Sequence, residues 1–215
     1  MAVVLDNLGV FAGGLALTLL VALSASLGGS VVGLLTALSR MAPAAPVRWL
    51  AVTYVEVIRN TPGLVQLFLV YLGLPNLGIR FSPLGALIVA LTVNNGAYVA
   101  EIIRGGLQAI PKGQLDAAAA LGLPRRVALA EVVLPQTLRA IHPALANQFI
   151  QTVLASSIGT VVGVEELTQV ALILESRTYQ TVEILVALTL IYVAVTVLLA
   201  ALMRRLGHRL DRGYR

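Results

Sequence analysis

The chain contains no cysteine. A disulfide framework and a thiolate metal site are both excluded, and the redox state of the compartment leaves no mark on the sequence. Charge is scarce as well. Only 12% of the 215 residues are Asp, Glu, Lys or Arg, while 58% are hydrophobic and the mean hydropathy is +0.91. Soluble domains carry roughly 25% charged residues. A chain this short of polar surface cannot cover itself in water, so the bilayer is its expected solvent. Histidine is limited to His142 and His208, and no acid cluster falls deep in an apolar run. An integral membrane enzyme of lipid metabolism needs clustered catalytic groups of that kind. There is no Gly-x-x-x-x-Gly-Lys-Ser/Thr loop to cradle the phosphates of ATP. The sequence also has no visible internal repeat, which weighs against a secondary transporter, whose folds usually repeat and carry more spans.

What is present is a series of long charge-free stretches. Five of them cover residues 7–39, 60–79, 81–100, 140–164 and 184–203. Each reaches the roughly 20 residues that a helix needs to cross the hydrocarbon core. The expected fold is an all-α integral membrane protein, one domain over residues 1–215 with about five transmembrane helices. The spans are expected at roughly 9–38, 49–73, 83–103, 142–163 and 182–203. Pro62-Gly63 predicts a kink in the second, and the fourth is expected to break near Ser156–Gly159. No basic segment or Ala-x-Ala site stands near Asp6, so the first stretch reads as a retained helix rather than a signal peptide. Gly13-Gly14, Gly28-Gly29 and Gly33 fit close helix packing in lipid.

Lys and Arg sort to one side. Thirteen of them fall in the first loop, the third loop and the basic tail 204–215; only Arg80 and Arg177 fall opposite. The positive-inside rule then makes the loop at about 105–140 and the C-terminus cytoplasmic, and the N-terminus external. Residues 74–82 and 164–180, the latter with Glu165, Glu166 and Glu175, become outer connections. The net charge of +5 lies at the ends of apolar segments rather than in one patch, so nucleic acid is not an expected partner.

The loop 111–135 carries the densest signal. Pro111 permits a helix from about Gly113, with Asp116 in its first turn, where a carboxylate suits the positive end of the dipole. Ala117 to Ala120 are strong helix formers with tiny side chains. Gly122 fits a left-handed cap, Pro124 the first position of a second helix, and Arg125 and Arg126 its opening turn. Pro135 is expected to close it. Such an elbow can lie on lipid headgroups or slot its alanine face into another protein. The spacing decides between them. Asp116-Ala117-Ala118, Gly122 and Val132-x-Leu134-Pro135 resemble the loop by which permease subunits of bacterial ABC importers dock on their ATPase, written there Glu-Ala-Ala, Gly, Ile-x-Leu-Pro.

The resemblance continues along residues 10–205. Arg59-Asn60-Thr61-Pro62-Gly63-Leu64-Val65-Gln66, Ala97-Tyr98-Val99-Ala100-Glu101-Ile102-Ile103-Arg104-Gly105-Gly106 and Ile110-Pro111-Lys112-Gly113-Gln114 all match. So do Leu134-Pro135-Gln136, Asn147-Gln148-Phe149 and Gly163-Val164-x-Glu166-Leu167-Thr168. The chain is thus similar to permeases of the polar-amino-acid uptake family (histidine/glutamine/arginine type). The resemblance implies a non-catalytic subunit of the bacterial inner membrane, coupled through Asp116, Ala117, Ala118, Gly122, Arg125 and Pro135. It implies a cytoplasmic ATP-binding subunit in two copies, with ATP and Mg held there and no cofactor on this chain. It also implies a second permease chain, identical or homologous, and an extracytoplasmic solute-binding protein meeting the outer connections.

Polar groups at membrane depth are functional candidates. Gln66, Asn94, Asn95, Tyr98, Gln151, Thr152, Ser156 and Ser157 can line an amino acid pathway or bond helix to helix. Glu56 with Arg59, and Glu101 with Arg104, stand three residues apart and can form ion pairs or a gate. His142, before Pro143, has no second metal-like neighbour and reads as structural. One departure bears on substrate. Where many family members carry Lys-Asp before two hydroxyl residues, this chain has Leu154-Ala155-Ser156-Ser157. The missing acid points away from a cationic substrate and toward a neutral or acidic amino acid.

Overall fold

In hydrocarbon every backbone N–H and C=O must find a partner within its own segment, so apolar runs of this length become helices. The computed structural model describes residues 2–212. Met1 and residues 213–215, Arg215 of the basic tail among them, lie outside the described residues, as do the side chains of Lys112, His208, Arg209 and Arg212. The helices are α1 (Ala2–Asp6), α2 (Leu8–Ser39), α3 (Ala45–Arg59), α4 (Gly63–Phe68), α5 (Pro83–Gln108), α6 (Lys112–Ala120), α7 (Arg125–Val127), α8 (Leu134–Ala155), α9 (Leu167–Thr178) and α10 (Thr181–Arg212). No strand forms among the described residues.

Four helical segments are long and apolar enough to cross a membrane: Leu8–Ser39, Pro83–Gln108, Arg125–Val162 and Thr181–Gly207. A fifth candidate span is a bent pair of helices. α3 and the segment Gly63–Leu77 meet at 109°. The kink expected at Pro62 is therefore a full turn of direction. One lost hydrogen bond bends a helix; here Asn60 and Thr61 leave the helix before a proline that disfavours helical backbone at the preceding residue. The Gln66 side chain stabilises the break. Its Nε2 donates to the Ile58 carbonyl at 2.8 Å and the Thr61 carbonyl at 3.0 Å.

Three further expectations change. Pro135 does not close a helix. The chain stays helical from Arg125 to Val162, through a π turn at Ala128–Val133. That turn changes the hydrogen-bond register just before a residue that has no N–H, so Pro135 sits at the second position of α8 without ending it. Asp116 is the fifth residue of α6, not in its first turn, because α6 begins at Lys112. The dipole argument for it lapses. Residues 164–180 are mostly the helix α9 rather than a loop, packed on α2 and α10. The fourth span does change character at Ser156, where a 3-10 segment runs to Val162.

α2 lies along α5 at close range because small residues face each other. An ideal Cβ on Gly33 would stand 2.6 Å from Val99 Cβ, and one on Gly96 2.7 Å from Val32 Cγ1. Leu67, Leu87 and Val164 pack with Val21 in one apolar cluster, and Leu167, Ile184 and Leu188 with Phe11 in another. Leu20, Leu23, Leu27 and Val31 of α2 and Val186, Leu190, Val193 and Val197 of α10 point outward. Only 17% of the most apolar window of α10 is buried, a surface that lipid solvates and water does not.

Candidate functional site: a glycine-hinged elbow and an ion cluster

The elbow between α6 and α7 is closed by its own backbone. Gly122 has φ +71, and its N–H donates to the Ala119 carbonyl at 3.0 Å, while Leu123 N–H donates to the Ala118 carbonyl at 3.0 Å. This pair of bonds is the Schellman closure, which places glycine in the left-handed position. Pro124 precedes α7 as its N-cap. Ala118 is buried against the rest of the chain; Asp116, Ala117 and Arg125 are exposed. Leu121 is 79% exposed, and Leu115, Leu123, Val127 and Leu129 are exposed around it. Several large apolar side chains are thus exposed on the segment between the third and fourth apolar runs.

The charged candidates regroup. No bridge joins Glu56 and Arg59 among the described residues. Glu56 accepts from Asn60 Nδ2 at 3.4 Å, and Arg59 turns to Glu101 at 4.0 Å with its guanidinium 5.4 Å from the Tyr98 ring centre. Glu101 also bonds Arg104 and, at 2.7 Å, Arg40 at the end of α2. One carboxylate thus ties the ends of α2, α3 and α5. From its position in the chain Arg40 had only an orienting role, since nothing local links it to Glu101, 61 positions away.

The polar candidates do not share one lining. Gln66 is buried and its Oε1 accepts from Asn94 Nδ2 at 3.1 Å. Tyr98 lies one turn from Asn94, beneath Arg59. Asn95 faces α2 instead, where an ideal Cβ on Gly29 would be 2.7 Å from its Nδ2. Thr152 and Ser156 are buried and donate to carbonyls of their own helix, Gln148 at 2.9 Å and Val153 at 2.8 Å. Ser157 donates to the Leu154 carbonyl at 2.8 Å, and Gln151 is exposed.

Glu166 was missed as a site of its own. It is fully buried and caps α9, accepting from Thr168 N–H and Gln169 N–H at 3.0 Å each. Tyr192 of α10 donates to it at 3.2 Å, and Thr18 of α2 accepts from Leu167 N–H at 3.1 Å beside it. The helix-capping signal, an acid followed by a helical run, was in the sequence; its burial was not.

This architecture, with its elbow between the third and fourth crossings, has counterparts among known proteins. The family of binding-protein-dependent transport system inner membrane components matches residues 29–212. The probable glutamine ABC transporter permease protein GlnM of Bacillus subtilis (strain 168) is 36% identical over 214 residues, 99% of either chain. The arginine transport system permease protein ArtQ of the same organism is 36% identical over 198 residues, 92% of this chain and 90% of the relative. The crystal structure of an amino acid ABC transporter with histidines aligns at 38% identity with a TM-score of 0.91, over 95% of this chain and 96% of the other. With a family match over residues 29–212 and a relative aligned over 99% of both chains, this chain belongs to the binding-protein-dependent transport system inner membrane components.

Proposed function

We propose that the chain is the transmembrane permease subunit of an ATP-driven ABC importer for amino acids. The observation that carries the reading is continuity. From the Gly122 hinge, one 38-residue helical segment, Arg125–Val162, runs from the exposed elbow to the polar positions Gln151, Thr152, Ser156 and Ser157. A push on α6 is delivered along this continuous helical segment to the fourth crossing. Asp116, Ala117 and Arg125 present the docking surface; Ala118 and Gly122 shape it, and Pro135 lies within the segment.

The engine is a cytoplasmic ATP-binding subunit in two copies, which holds ATP and Mg; this chain holds no cofactor and catalyses nothing. A second permease chain, identical or homologous, covers the outward flank of α8, where Gln151 and Asn147 are exposed and only 22% of the apolar window is buried. Polar side chains so placed are costly against lipid. A solute-binding protein delivers substrate from outside, with the N-terminus on that side and the C-terminus in the cytoplasm of a bacterial inner membrane. Glu101 with its three arginines acts at the inner end of the path.

Relatives named for glutamine and for arginine bracket the substrate class. Leu154-Ala155 favours a neutral or acidic amino acid over a cationic one. The test is reconstitution of the chain with its ATPase and binding protein, reading ATP hydrolysis against each amino acid. Stimulation by a neutral or acidic amino acid is the expected result. Hydrolysis that no amino acid stimulates overturns the importer reading, and tight arginine retention beside Ala155 overturns the selectivity.

A further inference from the structure

The two oxygens of Glu101 are not shared equally among the arginines around it. Oε2 accepts from Arg40 at 2.7 Å, and Oε1 accepts from Arg104. Arg59 reaches Oε2 only at 4.0 Å, beyond hydrogen-bond range, and donates no hydrogen bond among the described residues. Glu56, one turn earlier, accepts from Asn60 instead. Arg59 is held by the face of Tyr98, 5.4 Å from its guanidinium, a weak contact where water reaches. Its side chain is 38% exposed. The guanidinium donors are therefore open to an acceptor that the chain itself does not supply.

The surroundings indicate what that acceptor is. Arg59 ends α3 at the break in the bent pair. Gln66 ties the break down through the Ile58 and Thr61 carbonyls on either side of Arg59, and its Oε1 accepts from Asn94 Nδ2. Asn94, Tyr98 and Glu101 follow at helical spacing on one face of α5, all three half-buried. The free guanidinium thus lies over a polar stripe that begins at the Asn94–Gln66 bond.

We propose that Arg59 binds the α-carboxylate of a transported amino acid at the inner end of the path, exchanging the Tyr98 face and the long Glu101 contact for a bidentate pair. This rests on the amino acid importer reading above and names a binding residue for it. Every amino acid carries that carboxylate, whatever its side chain, and its two oxygens match the guanidinium fork. Arg40 and Arg104 are unsuited, because releasing either would uncover an oxygen of Glu101. With both in place the guanidinium groups still outnumber the single carboxylate they surround, so the cluster attracts an anionic group and repels a cationic side chain.

The test is a binding cycle read by saturation-transfer NMR on the full chain with its ATPase in nanodiscs, without binding protein. The probes are L-glutamine and L-glutaminamide, in which an amide replaces the α-carboxylate. The wild type is expected to bind glutamine about tenfold more tightly than the amide. Arg59→Gln is expected to weaken glutamine about tenfold and to leave the amide within about twofold, since only the carboxylate pairs with the guanidinium. A purely structural role would weaken both probes alike. Arg59→Lys, which keeps the charge without the fork, is expected to fall between. If Arg59→Gln does not fold, the lysine variant carries the cycle. Equal weakening of both probes, unaltered glutamine binding, or a wild type that binds both alike or neither overturns the proposal. Stimulation of ATP hydrolysis is read separately, so an importer whose Arg59 plays no such part is told apart from a chain that imports no amino acid.

Discussion

Glu101 bonds three guanidinium groups unequally. The Arg40 contact is short, at 2.7 Å, and its partners are only 17% and 19% exposed. The Arg59 contact is 4.0 Å long with the arginine 38% exposed, and Arg104 is 40% exposed, so water screens both. Glu101→Gln is expected to destabilise the protein by about 2 kcal/mol, mostly by leaving Arg40 short of a charged partner. Arg104→Gln is expected to cost less than about 1 kcal/mol. Thermal unfolding in detergent measures both, and equal losses would contradict the ranking. Glu166 combines a cap with two interhelical contacts. Glu166→Ala is expected to cost about 2–3 kcal/mol by the same measurement, and Glu166→Gln, which keeps one accepting oxygen, less. The two carboxylates differed in legibility. The Glu101–Arg104 spacing could be read locally, whereas the Thr18–Glu166 contact joins residues 148 positions apart.

Between elements, distance sets the constraint. Gly33 lets α2 approach α5 until Val99 fills the space a side chain would need. Gly33→Leu is expected to separate the two helices at a cost of roughly 3 kcal/mol, the upper end for overpacking. A lowered thermal unfolding temperature in detergent would report it; an unchanged one would refute the packing. Gln66→Leu, by removing the side-chain donor of the Thr61 carbonyl and leaving the Ile58 carbonyl only the Thr61 N–H at 3.4 Å, is expected to loosen the broken second crossing by about 1–3 kcal/mol. Faster proteolysis between Arg59 and Gly63 reads that change. Helix existence and approximate extent were legible here, because apolar length dictates them. The 109° break and the uninterrupted passage through Pro135 were not. Proline has the same local effect at both sites; a side chain reaching back in one case and a π turn in the other decide the outcome.

For the molecule as a whole, the proposed mechanism makes the elbow and the helical segment behind it one lever. Gly122→Leu forces a β-carbon into the left-handed region, which costs roughly 1–2 kcal/mol and opens the Schellman closure. With the ATPase present, this variant and Asp116→Lys are each expected to copurify poorly with it and to lose transport, while the spans stay inserted. Full coupling in both would remove the lever from the mechanism.

The bilayer as solvent, the helical class, the apolar segments and the glycine-hinged elbow were all legible in the chain alone. Each follows from composition, run length or a local backbone preference, quantities that a neighbour in space does not alter. It took the packed helices to show that Arg40 and Arg59 share Glu101, that Glu166 is buried and that Asn94 and Asn95 serve different faces. Those outcomes depend on how helices distant in sequence rotate against one another, and small-residue packing fixes that rotation only once both helices are present.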